Sequence, residues 1–195
     1  EPTDISLPVL SLSCNNDFKI ACLSHVQFLS SICFDFEDTS IFINNIIQWL
    51  NHDELLSKPI LLYGFTERFR FEACHSLDKS NILFKTANSP SYHKCNKSKS
   101  LFRKNSQINF NNRENLDNFL NDETYDDNII SIENHEVILC STSSDIMQPS
   151  IRQKFVSFLK NGGGILFLYT PDSPNKVNKF LLDYGLSYSN CTLST

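Results

Sequence analysis

Three near-continuous apolar runs, ILLYG (60–64), EVILCS (136–141) and GILFLYT (164–170), restrict the fold of this chain more than any other feature. Runs this short, without a polar residue at every second position, suit strands covered on both faces. That environment belongs to parallel sheets flanked by helices. Between the runs the period changes. TERFRFEACHSL (66–77) reads as a helix and leads into a further strand, NILFKTA (81–87). Behind EVILCS, Ile151, Phe155, Phe158 and Leu159 recur at i, i+4, i+7 and i+8, with Pro149 placed for a first helical turn. Alternating strand, helix and strand predicts right-handed βαβ units. The expected fold is a three-layer, Rossmann-like α/β domain, a mostly parallel sheet with helices on both faces.

The N-terminal part adds a hairpin. PVLSLS (8–13) and KIACLSHV (19–26) read as strands joined by CNND, whose Asn15, Asn16 and Asp17 are turn residues. After the acidic FEDTS loop, SIFINNIIQWL (40–50) places Phe42, Ile46, Trp49 and Leu50 at helical spacing, with Thr39 or Ser40 as the cap. Near the C-terminus, Ser173 and Pro174 offer a cap and first position for a helix over VNKFLLDY, stopped by Gly185. The stretch from Asn88 to Asn128 is polar, with a basic run followed by an acidic one, and cannot bury a core. One α/β domain over 1–195 is expected: a hairpin and helix in 1–57, and a βαβ core in 58–195. A long polar insertion at about 88–128 interrupts that core, with a short helix near Arg113 to Leu120.

Charge and cysteine usage narrow the function classes. A formal charge of −5 argues against a general nucleic-acid binder, which needs a basic face. No apolar run is long enough for a membrane span. The opening EPTDISLPVL has neither the basic start nor the apolar core of a signal peptide, and without an initial Met the chain reads as part of a larger protein. Seven cysteines form no CxxC pair, which favours a reducing, cytoplasmic setting. The sequons at Asn96 and Asn190 read as chance triplets in an Asn- and Ser-rich sequence.

The candidates for chemistry are few. In KNGGGILFLY (160–169) the order is helix, glycines, strand, the reverse of a phosphate loop. The glycines therefore meet the end of a helix whose partial charge repels anions, and Gly162 is placed for the left-handed helix stop. His135-Glu136 begins like HExxH, but Leu139 replaces the second His. Cys140 ends a central strand, where α/β folds display nucleophiles, yet its neighbours Leu139 and Ser141 make no glycine elbow and no His follows His135. An inert core thiol is the favoured reading, and Cys140 stands as the weak catalytic candidate. Cys74-His75 with His93 and Cys95 match no zinc spacing, so no metal and no cofactor are expected. The run Lys94 to Lys104, with Phe102 as its lone aromatic, reads as a solvated loop, with an acidic lipid or protein tail as the alternative contact.

Two blocks together resemble a known family. PVLSLSCNNDFKIACLSHVQFL followed by FINNIIQWL is similar to the first block of the TRP-channel-associated factors and the related enhancin-like metallopeptidases. There a strand, a turn and a second strand end in a His, and a helix closes on an apolar-Trp-Leu triplet. His25, Trp49 and Leu50 fall on those positions. IRQKFVSFLKNGGGILFLY with KFLLDYGLSYSN resembles the family's helix, glycine triplet, strand and final helix, with Gly162, Gly163, Gly164 and Gly185 on the matching positions. This chain departs from the family in having CNND for a Gly-rich turn and Pro171-Asp172-Ser173-Pro174 where apolar and Trp residues stand. The resemblance implies a Rossmann-like domain akin to class I glutamine amidotransferases but lacking their catalytic Cys and His. It implies a non-catalytic interaction domain that binds a protein partner, a TRP-type channel in the family, and modulates its trafficking or gating. The place it implies is the cytoplasm at the inner face of the plasma membrane, with peripheral membrane association. The rival readings are an amidotransferase-like or hydrolase-like enzyme using Cys140, and an accessory module of a metallopeptidase.

Overall fold

The computed structural model describes residues 9–15, 17–36, 38–52, 55–87, 132–142, 144–170 and 177–188. Among the described residues the expected strands and helices occur in the expected order, with one short helix added. An antiparallel hairpin, β1 (Leu10–Cys14) and β2 (Lys19–Leu23), is closed by Asn15, whose Oδ1 accepts from the amides of Asp17 and Phe18. β2 stops three residues short of the predicted Val26. The chain turns there because His25 caps a 3-10 turn over Val26–Leu29, its Nδ1 accepting from Gln27 N at 3.0 Å. A short helix that the sequence pattern did not signal, α1 (Ser31–Phe34), follows and is capped by Ser30. Next comes α2 (Thr39–Leu50), with Asp38 rather than Thr39 or Ser40 at the N-cap.

The rest alternates as predicted: β3 (Ile60–Tyr63), α3 (Glu67–Lys79), β4 (Phe84–Ala87), β5 (Val137–Ser141), α4 (Pro149–Lys160) and β6 (Gly164–Leu168). The predicted helix over VNKFLLDY is split, into α5 (Asn178–Leu181) and a 3-10 turn at Leu182–Tyr184 that ends on Gly185. α5 begins after Val177; the proposed cap Ser173 and Pro174 lie outside the described residues, as do the 88–128 insertion, its short helix, both sequons, His93 and Cys95.

The six strands form one sheet in the order β1-β2-β6-β5-β3-β4, with every pair parallel except β1–β2. Side chains alternate across it. Ala21, Leu23, Ile60, Leu62, Val137, Leu139, Leu166 and Leu168 point to one face and pack with Ile43, Ile47 and Leu50 of α2 and Ala73 and Leu77 of α3. Tyr63 and Phe167 point to the other face, where Tyr63 meets Phe155 of α4 (5.2 Å between ring centres) and Phe167 meets Phe180 of α5 (5.9 Å). Helices therefore lie on both faces, and a Rossmann-like α/β arrangement follows. β3, β5 and β6 are buried at every position, which is why they read as unbroken apolar runs.

Candidate functional site

Strand order and connectivity select the place to look. β3 crosses through α3 to β4 on one side, while β5 crosses through α4 to β6 on the other. With both crossovers right-handed, α3 and α4 fall on opposite faces, as observed. The adjacent strands β3 and β5 thus flank the topological switch point, and open α/β sheets bind ligands beyond the strand C-termini at that point.

In this chain that position is filled by the chain itself. Gly64, just past β3, has φ +73°, and a Cβ placed there would lie 2.4 Å from the Ser144 Cβ. Only a glycine lets Ser144 close onto the end of β3. Around Ser144 sits a buried polar network. Cys140 Sγ is 3.2 Å from Ser144 Oγ, Ser144 N donates to Ser141 O, and Ser141 Oγ is 2.8 Å from Thr170 Oγ1. Thr170 N donates to Thr142 Oγ1 at 3.0 Å, and Thr142 N donates to Leu168 O. Ser141, Thr142, Ser144 and Thr170 are all buried. Hydroxyls satisfied by one another in this way knit loop ends together.

Cys140 is fully buried within β5, and burial pushes its thiol up to about 12 despite the Ser144 hydrogen bond. At neutral pH it is a thiol, and a thiol attacks weakly. None of the four described histidines serves it as a base. His25 lies at the end of β2, two strands away, with Nδ1 held by Gln27 N. His75 is exposed on α3, on the opposite face of the sheet. His135 sits at the other end of β5, with Nδ1 2.7 Å from Pro59 O. His52 pairs with Gly162 O at 2.9 Å. Cys140, the weak nucleophile candidate, is therefore enclosed and protonated at neutral pH. Among the described residues no three His, Cys, Asp or Glu side chains gather as a metal site, and no helix is long and apolar enough to cross a membrane.

The motif glycines meet the motif helix at the opposite end of the strands, where the interior strand β6 begins. Gly162 has φ +85°; Gly162 N donates to Leu159 O and Gly163 N to Phe158 O, the paired bonds of a Schellman stop. A Cβ on Gly163 would strike the Phe158 ring at 2.3 Å, and one on Gly164 would strike Leu50 O at 2.5 Å. Leu50 ends α2, so the Trp-Leu end of one block seats on the glycines of the other. Trp49 is fixed nearby: Lys19 Nζ donates to Trp49 O at 2.8 Å and lies 5.2 Å from the Trp49 ring centre. Gly185, with φ +73°, ends the last turn.

Beside this joint a cleft of about 250 Å³ is lined by Lys58, His135, Glu136, Lys154 and the start of the glycine run. Burial lowers the His135 pKa, and Lys85 and Lys58 lower it further, while the bond to Pro59 O acts the other way. Burial would raise the Glu136 pKa, but hydrogen bonds from Ser57 and the Lys58 amide, with the Lys58 charge, bring it below the usual carboxylate range. The folded state therefore holds His135 neutral where the unfolded chain would already bind a proton. Its contribution to stability is complete above pH ~6.5, the ordinary His value, and is lost as pH falls through that value toward the lower folded pKa. The urea midpoint is expected to drop between pH ~6.5 and ~5 in the wild type and to stay flatter in His135→Gln. Equal slopes for the two proteins would refute this assignment. Glu136 acts in a lower window, below the ordinary carboxylate pKa.

The chain is similar in fold to domains of solved metallopeptidase structures. It is similar to IMPa from Pseudomonas aeruginosa in complex with an O-glycopeptide, with a TM-score of 0.53 and 12% identity over 92% of this chain. It is similar also to the IMPa metallopeptidase structure from the same organism, with a TM-score of 0.52 and 11% identity over 92% of this chain. In both cases the match covers 16% of the longer protein. At this identity the likeness is one of fold alone. No protein-family model and no curated protein matches the sequence.

Gly64 and Ser144 were not among the residues singled out by the sequence. The signal was a glycine directly after an apolar strand, in ILLYG, facing a hydroxyl-rich STSSD stretch after the next one.

Proposed function

We propose that this chain is a non-catalytic α/β docking domain of a larger protein related to the enhancin-like metallopeptidases and the TRP-channel-associated factors. One observation carries the reading: the switch-point crevice, where a doubly wound fold would bind a substrate or cofactor, is closed by Ser144 seated on Gly64. The buried, protonated Cys140 beneath it supports the same reading. What remains for such a domain is its outer surface, and function by contact. A TRP-type channel as the partner, with modulation of its trafficking or gating, is what the resemblance of the motif blocks around His25, Trp49 and Gly162 to Gly164 implies.

The test is a pull-down from the native source with the whole chain, with a Cys140→Ser variant, and with residues 88–128 deleted. The same channel or other protein is expected with wild type and Cys140→Ser. A partner lost only in the deletion assigns contact to the insertion. Loss in Cys140→Ser without loss of folding, or hydrolysis or glutaminase turnover that Cys140→Ser abolishes, would refute the non-catalytic reading. Consistent with it, Cys140 is expected to resist iodoacetamide in the native protein and to label only after unfolding.

The likeness to IMPa favours a second form, an accessory module that positions a neighbouring metallopeptidase on a glycosylated substrate. Saturable binding of an O-glycopeptide by the isolated chain would carry it, and absence of binding at millimolar peptide would count against it.

A further inference from the structure

On the sheet face that holds the main core, α2 lies over β2 and β6, and α3 packs beside β4. Among the described residues no helix lies over β1. Strand alternation turns Leu10, Leu12 and Cys14 to this face, opposite Leu23, Ala21 and Lys19 of β2. Leu12 is 50% exposed, and Cys14 is exposed beside it. The far wall is a flank of α2. At 100° per residue, Asp38, Phe42, Asn45 and Trp49 line one side of that helix, next to its buried stripe of Ile43, Ile46, Ile47 and Leu50. The contact of Lys19 with the Trp49 ring shows that this flank faces the β1–β2 side. Phe28 extends the wall through its ring contact with Phe42 (6.1 Å), and Phe36, 68% exposed, closes the end near Asp38.

These walls make an apolar gutter one helix wide. Neighbouring helices pack about 8–10 Å apart, and strands lie about 4.8 Å apart, so a helix beside α2 would sit over β1. The described charges at its Phe36 end are Asp38 and the Asp35–Lys79 pair, which together are net negative. Asp38 is exposed and makes no capping bond through its side chain, and Asp35 is exposed in an ion pair with Lys79. The cation of the gutter, Lys19, is held by the Trp49 carbonyl and ring at the other end.

We propose that this gutter is where the docking partner binds, and that the partner is an amphipathic helix. Its leucine- or phenylalanine-type residues cover Leu12, Phe42 and Trp49, and a Lys or Arg meets Asp38. The inference rests on the docking reading above and names its surface. Apolar side chains at i, i+3, i+4 and i+7 of the incoming helix supply the contact area, and the Asp38 carboxylate sets its direction.

The test uses the full chain and a fluorescein-labelled, 18-residue leucine–lysine amphipathic peptide, read by fluorescence anisotropy, with a leucine–glutamate peptide as its opposite. Saturable binding of the leucine–lysine peptide is expected, with the leucine–glutamate peptide at least tenfold weaker. Leu12→Lys and Asn45→Arg should each weaken binding at least tenfold, and Asp38→Asn about threefold. Ile41→Lys adds the same charge on the solvent side of α2 and should leave binding unchanged. Circular dichroism checks that each variant is folded, and Asn45→Arg, at an exposed position, keeps the test open where Leu12→Lys does not fold. Equal loss in Ile41→Lys and Asn45→Arg would overturn the proposal, because the peptide would then be held by charge alone. Light scattering that shows a dimer broken by Leu12→Lys would also overturn it, because the occupant would be a second copy of this chain. A partner retained in the native pull-down by Asn45→Arg would move the interface elsewhere while leaving the docking reading intact.

Discussion

Gly64→Ala is expected to destabilise the domain by about 2–5 kcal/mol, and Ser144→Gly is expected to recover part of that loss. Two costs add at this residue. Its φ of +73° is left-handed, which an alanine adopts only at about 1–2 kcal/mol. The new methyl would also lie 2.4 Å from the Ser144 Cβ and 3.1 Å from its Cα, so turning the Ser144 side chain cannot clear it. Ser144 is fully buried and bonded to Cys140, and its amide is bonded to Ser141 O, so its backbone resists moving too. Overpacking of this kind costs about 1–3 kcal/mol. Urea unfolding of the two single variants and the double variant separates the terms, because Ser144→Gly relieves the clash but not the left-handed strain. A coupling of about 1 kcal/mol or more in the cycle is expected. A coupling near zero, or a Gly64→Ala protein within 0.5 kcal/mol of wild type, would mean that the crevice is open and that the reading of this domain as non-catalytic loses its main support.

That crevice also marks the border of what the sequence could supply. The strands were legible because β3, β5 and β6 are buried on both faces, and each therefore appears as an unbroken apolar run. α4 was legible because it buries the one stripe read from its spacing, Ile151, Phe155, Phe158 and Leu159. α2 was legible as a helix, but its buried stripe is Ile43, Ile46, Ile47 and Leu50, so of the positions read from the sequence Ile46 and Leu50 are core while Phe42 and Trp49 lie half-buried on its flank. The left-handed stop at Gly162 followed from the helix–glycine–strand order, which also excluded a phosphate loop. α1 left no such trace: four residues make barely one turn and show no period, and the helix is held by the Ser30 cap and the burial of Phe34. The end of β2 was misjudged because Ser24 and His25 carry no conformational preference strong enough to mark a cap. The bond from Gln27 N to His25 exists only once the chain has turned. The pairing of Gly64 with Ser144 was beyond any local pattern, since it joins positions 80 residues apart through the order of the strands. Sequence chemistry singled out Cys140, and topology then showed why a residue at the end of a central strand can still be enclosed.

Gly164→Ala is expected to cost about 3 kcal/mol, well above Gly185→Ala at about 1 kcal/mol, although only Gly185 has a left-handed backbone. The contrast separates close approach from conformational freedom. At Gly185 the φ of +73° makes the penalty, and an added Cβ meets nothing within 4 Å. At Gly164 the penalty is contact alone: the added Cβ would lie 2.5 Å from the Leu50 carbonyl oxygen, 2.7 Å from its Cβ and 2.9 Å from its carbonyl carbon. Most of that is backbone at the end of α2, and no rotamer removes it. The strand cannot yield either, since Gly164 is paired with Lys19 on one side and Val137 on the other, and its amide is bonded to Glu136 O. Relief requires the last turn of α2 to lift, which would carry Trp49 away from Lys19 and expose Leu50, a residue buried in the core. Urea midpoints give the order of the two variants, and quenching of the fluorescence of Trp49, the single tryptophan, reports whether α2 lifts. If Gly164→Ala costs no more than Gly185→Ala, and Trp49 emission is unchanged, the two motif blocks do not bear on one another as this packing requires. If the order holds, the glycine triplet and the Trp-Leu helix end belong to one joint, and a sequence carrying one block without the other should not build this end of the sheet.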